Sequence, residues 1–95
     1  MIDKTIYWND LYDYYGALLT DKQRDMFERY YFDNLTLQEI ADNNQISRNA
    51  VHKTLSAIAL KLETYEEKLN YYKKIQKIKE KIKDKKVLDE ILEIL

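Results

Sequence analysis

Arg48, Asn49, His52, Lys53 and Ser56 are the residues of this 95-residue chain whose types and spacing suit recognition chemistry. On a helix that opens at Ser47 they share one exposed face. Guanidinium and ammonium groups neutralise phosphate, while amide, imidazole and hydroxyl groups reach base edges, so the set suits nucleic acid. Ser47 can start that helix, because a serine hydroxyl at the N-cap accepts from an orphan backbone N–H. Upstream, Thr36 stands three residues before Glu39, a spacing at which each side chain can satisfy a backbone N–H of the other. Between the two starts lies the polar tripeptide Asn43-Asn44-Gln45. The whole stretch from Thr36 to Leu62, TLQEIADNNQISRNAVHKTLSAIALKL, thus predicts a helix-turn-helix whose second helix enters the major groove. DNA or RNA is the partner this implies.

A second cationic set lies further on. Residues 68–86 hold nine lysines against Glu80 and Asp84, a balance of +7, while residues 1–46 hold four basic and nine acidic side chains, a balance of −5. No carboxylate occurs from Asn43 to Leu62. The overall charge of −1 therefore hides a sorted distribution, and such sorting points to an anionic partner for the second half. Lys73, Lys77, Lys81 and Lys85 recur every four residues, so a continuous helix would carry them as a stripe, with Lys73, Lys77 and Lys81 as candidate contacts to RNA. A lysine-biased proteome would leave a similar mark, with the run as a solubilising surface.

Other chemistry is poorly provided for. His52 is the only histidine and cysteine is absent, so a His-based metal cluster and a thiolate site are both excluded. One glycine cannot build a phosphate-binding loop. The adjacent carboxylates Glu66-Glu67 and Asp89-Glu90 read as solvated helix faces. These features predict no enzyme, no metal and no cofactor. The start MIDKTIYWND lacks the apolar core of a secretory leader, and no apolar run reaches the roughly 20 residues of a membrane span. A cytoplasmic protein is expected.

The elements that must hold the recognition face are helices. With one Gly and no Pro, and with abundant Leu, Lys and Glu, the chain is predicted to be all-α. A first helix is expected from about Ile6 to Leu19, with Trp8, Leu11, Tyr15 and Leu18 inward and Gly16 marking a close approach. Thr20 with Gln23 forms a second capping box and starts a helix that buries Met26, Phe27, Tyr30 and Tyr31 and ends at Asp33-Asn34. Nine of the twelve aromatic residues fall in the first 32 positions at helical spacing, which assigns them to a core. The carboxylates around them discourage nucleic acid from that surface. A third helix spans about Leu37 to Asp42, with Ala41 as the small crossing point. The fourth buries Val51, Leu55, Ile58 and Leu62, and no breaker stops it before Tyr65. Leu62, Tyr65, Leu69 and Tyr72 continue as heptads, then Ile75, Ile78 and Ile82 resume one step early, as in an overwound coiled coil. Asp84 caps a last segment whose apolar face is Leu88, Ile91, Leu92 and Leu95.

Over residues 9–72 or so the chain resembles the YlxM-like family of small bacterial helix-turn-helix proteins. The stretches that carry the resemblance are LYDYYGALLTDKQRDMFERYYFDNLTLQEIAD, ISRNAVHKTL and LETYEEKL. The helix-turn-helix is also similar to the fourth conserved region of sigma factors, with a less basic recognition face. The resemblance implies a link to the signal recognition particle, as a regulator or accessory component.

Residues 1–65 are expected as the helix-turn-helix domain and residues 66–95 as a lysine-rich helical extension. The apolar stripes of that extension need covering, either by the first helices or by a second copy of the chain in a homodimer. The reading from a different class makes the helix-turn-helix a scaffold for protein interaction.

Overall fold

The computed structural model describes residues 4–95 as six α-helices: α1 (Lys4–Tyr15), α2 (Asp21–Tyr31), α3 (Leu37–Asn44), α4 (Arg48–Leu69), α5 (Tyr71–Lys81) and α6 (Lys85–Ile94). No strand occurs among these residues, and the chain is all-α as its composition predicts. Met1, Ile2 and Asp3, which open the segment read above for a leader, lie outside the described residues.

Four side-chain caps divide the chain. Thr20 Oγ1 accepts from the Gln23 N–H at 3.1 Å, and Gln23 Oε1 accepts from the Thr20 N–H at 3.0 Å. Thr36 and Glu39 repeat this exchange at 3.0 and 3.1 Å. Ser47 Oγ accepts from the Ala50 N–H at 3.0 Å, and Asp84 Oδ1 accepts from Lys86 at 2.9 Å. Each cap satisfies donors that a helix start leaves without an intrahelical partner, worth about 1 kcal/mol apiece.

Helix α4 packs on α1, α2 and α3. Leu11, Tyr15, Leu19, Phe27, Ile58 and Leu62 form the larger buried cluster, with Tyr7, Trp8, Tyr12, Tyr14 and Tyr31 packed against it. The aromatic residues of the first third are thus largely core, as their spacing predicts.

The first helix ends earlier than expected. It stops at Tyr15, and Gly16–Leu18 form a 3₁₀ turn. Three residues per turn rotate the chain faster than an α-helix does, so Leu18 swings out to 53% exposure and Leu19 is buried instead. The close approach at Gly16 is made by Tyr12 of the α1 helix that precedes it. A Cβ there would meet Tyr12 Cε1 at 2.9 Å, and the Tyr12 ring is stacked on Phe27 at 4.4 Å and cannot yield freely.

The fourth helix runs past Tyr65 but not into a continuous heptad. Asn70 adopts φ 54° and ψ 27°, a left-handed conformation that ends α4 and turns the chain back. Helix α5 then lies along α1, with Tyr14 and Tyr71 rings 4.9 Å apart and Tyr7 and Tyr72 rings 5.2 Å apart. The early return of the stripe at Ile75 is therefore a register reset after a break, not overwinding. Ile75 is buried, while Leu69, the expected seam residue, is exposed.

Glu66 corrects another expectation. Far from a solvated face, it is 5% exposed and caps α5 from the preceding helix. Its carboxylate accepts from the Tyr72 N–H at 2.9 Å, the Lys73 N–H at 3.1 Å and the Tyr15 hydroxyl at 2.6 Å. The positive end of α5 and these three donors compensate the burial of a carboxylate. The signal was in the stripe itself, since one more step of four from Leu62 lands on Glu66.

Candidate nucleic-acid interface

Ile40 and Ala41 of α3 and Val51 of α4 form a second buried cluster that fixes the two helices against each other. The small Ala41 side chain is the crossing point its position predicts. Helix α3 runs two residues beyond the expected Asp42, so the turn narrows to Gln45, at φ 55° and ψ 42°. Asn44 Nδ2 donates back to the Ile40 carbonyl at 2.8 Å, and the Ile46 N–H reaches the Ala41 carbonyl at 3.1 Å. These bonds satisfy the carbonyls at the end of α3 and aim the chain into Ser47.

Arg48, Asn49, His52, Lys53 and Ser56 are all exposed on the N-terminal half of α4. The ion pairs among the described residues are Arg24 with Asp21 and Arg29 with Asp25, the latter at 3.0 Å. Neither Arg48 nor Lys53 is neutralised by a carboxylate there. Lys61, further along α4, donates to Gln23 Oε1 at 3.3 Å and ties α4 to α2 instead.

Lys73, Lys77 and Lys81 are exposed on α5, one per helical step of four. Lys85 does not extend their stripe, because the chain leaves the helix at Ile82 and Asp84 caps α6 anew. The two cationic sets stand on separate helices.

Sequence reasoning missed the surroundings of the recognition face. Tyr30 and Tyr31 of α2, with Leu37, form a hollow beside α4 whose other wall is His52, Leu55 and Ser56. A neighbouring hollow runs from the same tyrosines to Arg48, past Asn34 and Thr36. Both tyrosines are only half-buried, and burial raises the Tyr31 phenol above its ordinary pKa. Their place on the stripe of α2 identified them as core, and only the packing of α2 on α4 shows that they also line a groove.

Among the described residues no three His, Cys, Asp or Glu side chains gather where a metal could bind, and no helix is long and apolar enough to cross a membrane.

A family model described as "Putative helix-turn-helix protein, YlxM / p13 like" matches residues 2–94. The chain belongs to this family, UPF0122. A UPF0122 protein of Caldanaerobacter subterraneus subsp. tengcongensis is 48% identical over 82 residues, covering 86% of this chain and 70% of its own length. One of Geobacillus kaustophilus is 44% identical over 87 residues, covering 88% of this chain and 79% of its own. One of Halalkalibacterium halodurans is 37% identical and covers the whole chain and 94% of its own length. The UPF0122 match extends past Tyr72, where the resemblance drawn from motifs ended, and takes in α5 and α6.

Proposed function

We propose that this protein is a non-catalytic, nucleic-acid-binding regulatory or accessory factor with α4 as its contact helix. One observation carries the reading: a capped, exposed helix face bears Arg48, Asn49, His52, Lys53 and Ser56, and no acid occurs from Asn43 to Leu62. Arg48 and Lys53 neutralise phosphates, and Asn49 and His52 stand nearest the bases. Membership of a helix-turn-helix family supports it. Lys73, Lys77 and Lys81 add sequence-independent attraction for RNA. The setting is the cytoplasm, with components of the signal recognition particle as partners, and a homodimer presents two contact helices.

Fluorescence anisotropy across a salt series tests this. Affinity for duplex DNA or structured RNA falls linearly in log salt, and Arg48→Ala with Lys53→Ala lowers affinity on every sequence and flattens the slope by about two units. Competition between DNA and RNA then identifies the target. An unchanged slope on both would favour the second reading, in which the motif is scaffold for protein interaction. That reading draws on the apolar residues left exposed at the C-terminus, Ile94 at 84% above all.

A further inference from the structure

We propose, resting on the reading of α4 as a nucleic-acid contact, that the hollow between α2 and α4 seats one unpaired base of a looped or single-stranded RNA. Two aromatic rings already stand at its edge. Tyr30 and Tyr31 meet nearly edge-to-face, at 4.9 Å and 87°. Both are anchored from below: Tyr31 lies on Phe27 at 4.5 Å, and Tyr30 packs on the Ile40, Ala41 and Val51 cluster. Rings held by the core are ordered before a ligand arrives, so binding spends little side-chain entropy on them.

The chemistry of the lining selects a base. Leu37 and Leu55 supply apolar floor, His52 a third flat ring, and Arg48 a guanidinium at the end of the adjoining hollow. Among the described residues no carboxylate lines either one. Flat aromatic walls, a cation and the absence of acid are what a nucleobase and its phosphate require. Acids elsewhere on α2 do not enter this groove.

The base must be unpaired. In a duplex each base is covered above and below by its neighbours, and drawing one out costs about a few kcal/mol, whereas a loop offers bases already unstacked. RNA is favoured over single-stranded DNA because Asn34 and Ser56 line the hollows and Asn49 adjoins them on α4. Neutral side chains of this kind both donate and accept, as a ribose 2′-hydroxyl does.

The test titrates the full chain against three fluorescein-labelled probes at one salt concentration: an RNA hairpin with an adenine loop, the same hairpin in DNA, and a blunt RNA duplex of equal length. Wild type binds the RNA hairpin about tenfold more tightly than the duplex. Tyr30→Leu removes about a tenfold share of hairpin affinity, the scale of one lost base–aromatic stack, and leaves duplex affinity unchanged. Tyr30→Phe keeps the ring and the affinity. Because Tyr30 also touches the core, Ser56→Leu provides an independent variant that fills the hollow from its exposed side and lowers hairpin affinity further than it lowers duplex affinity. If neither Leu variant changes hairpin affinity, or if hairpin and duplex fall together, the base site is overturned. The α4 contact survives that result provided Arg48→Ala with Lys53→Ala still weakens every probe. Equal wild-type affinity for the DNA hairpin overturns the RNA assignment, and no binding to any probe overturns both readings.

Discussion

The Tyr15 hydroxyl donates to Glu66 Oε1 at 2.6 Å and accepts from the Tyr71 backbone N–H at 3.2 Å. One phenol thereby links α1, the end of α4 and the start of α5. Glu66→Ala strands the Tyr72 and Lys73 N–H groups and the Tyr15 hydroxyl together, and is expected to cost about 2–3 kcal/mol. Tyr15→Phe removes both bonds of the phenol, the charge-assisted one to Glu66 and the one that serves the Tyr71 N–H, and should cost about 2 kcal/mol. Urea titration followed by far-ultraviolet circular dichroism measures both. Equal stability in Glu66→Ala would show that the cap contributes nothing.

The same phenol makes stability depend on pH in the alkaline range. Burial, and then its bond to Glu66, raise the Tyr15 pKa from 10.0 to about 12. Burial, and then the bond to Glu28, do the same to Tyr12. Between these values the unfolded chain has lost protons that the folded chain retains, so stability falls as pH rises. The contribution is complete below pH 10 and gone above about 12. Chemical denaturation at pH 9, 10 and 11 should show the decline begin at the second point, with a smaller decline in Tyr15→Phe. Phenolate absorbance should show a late-titrating fraction that shrinks in Tyr15→Phe.

Gln45 occupies a left-handed conformation that a side chain with a Cβ adopts at a cost of about 1 kcal/mol. Gln45→Gly removes that strain and should raise the melting temperature by a few degrees, corresponding to about 0.5–1 kcal/mol. Gln45→Val should lower it. A melting temperature unchanged in both would mean that the turn is not strained.

Charge reversal at Lys73, Lys77 and Lys81 should weaken RNA binding and its salt dependence while leaving helicity intact, because all three are exposed on α5. Retained RNA affinity that is lost instead in Arg48→Ala would assign binding to α4 alone.

Leu18 and Leu69 are exposed around one hollow that Leu95 also lines, a patch suited to a second copy of the chain. Sedimentation should give a dimer for wild type and a monomer for Leu18→Asp with Leu69→Asp. A wild-type monomer at micromolar concentration removes the dimer from the proposal.

The helix-turn-helix was legible because its determinants are local. Thr20, Thr36, Ser47 and Asp84 act on backbone within three residues, and the stripe Val51, Ile58 and Leu62 needs only helical period. What escaped was set by partners distant in sequence. Glu66 looked solvated until α5 folded back onto it, and Tyr30 looked like pure core until α4 left its flank open. Asn70 was a different failure: nothing in a single asparagine between two apolar runs announces a left-handed break. The five α4 positions were identified by type and fall on one exposed face, whereas their aromatic surroundings required the packed structure.

The cap on α5 also orders events in time. That helix has 11 residues and no cap bond from the Asn70 side chain, and a segment so short is marginal alone in water. Its start is held by groups from α1 and α4, so it cannot persist until both have docked. The locally capped helix-turn-helix is therefore expected to form before α5 does. Amide exchange should divide accordingly, with α5 and α6 opening as one cooperative unit well below the free energy that opens α4. The lysines of α5 are thereby expected to hold fixed positions on one face only once α1 and α4 are in place, so the pattern of positive charge, though not its amount, depends on the packed core.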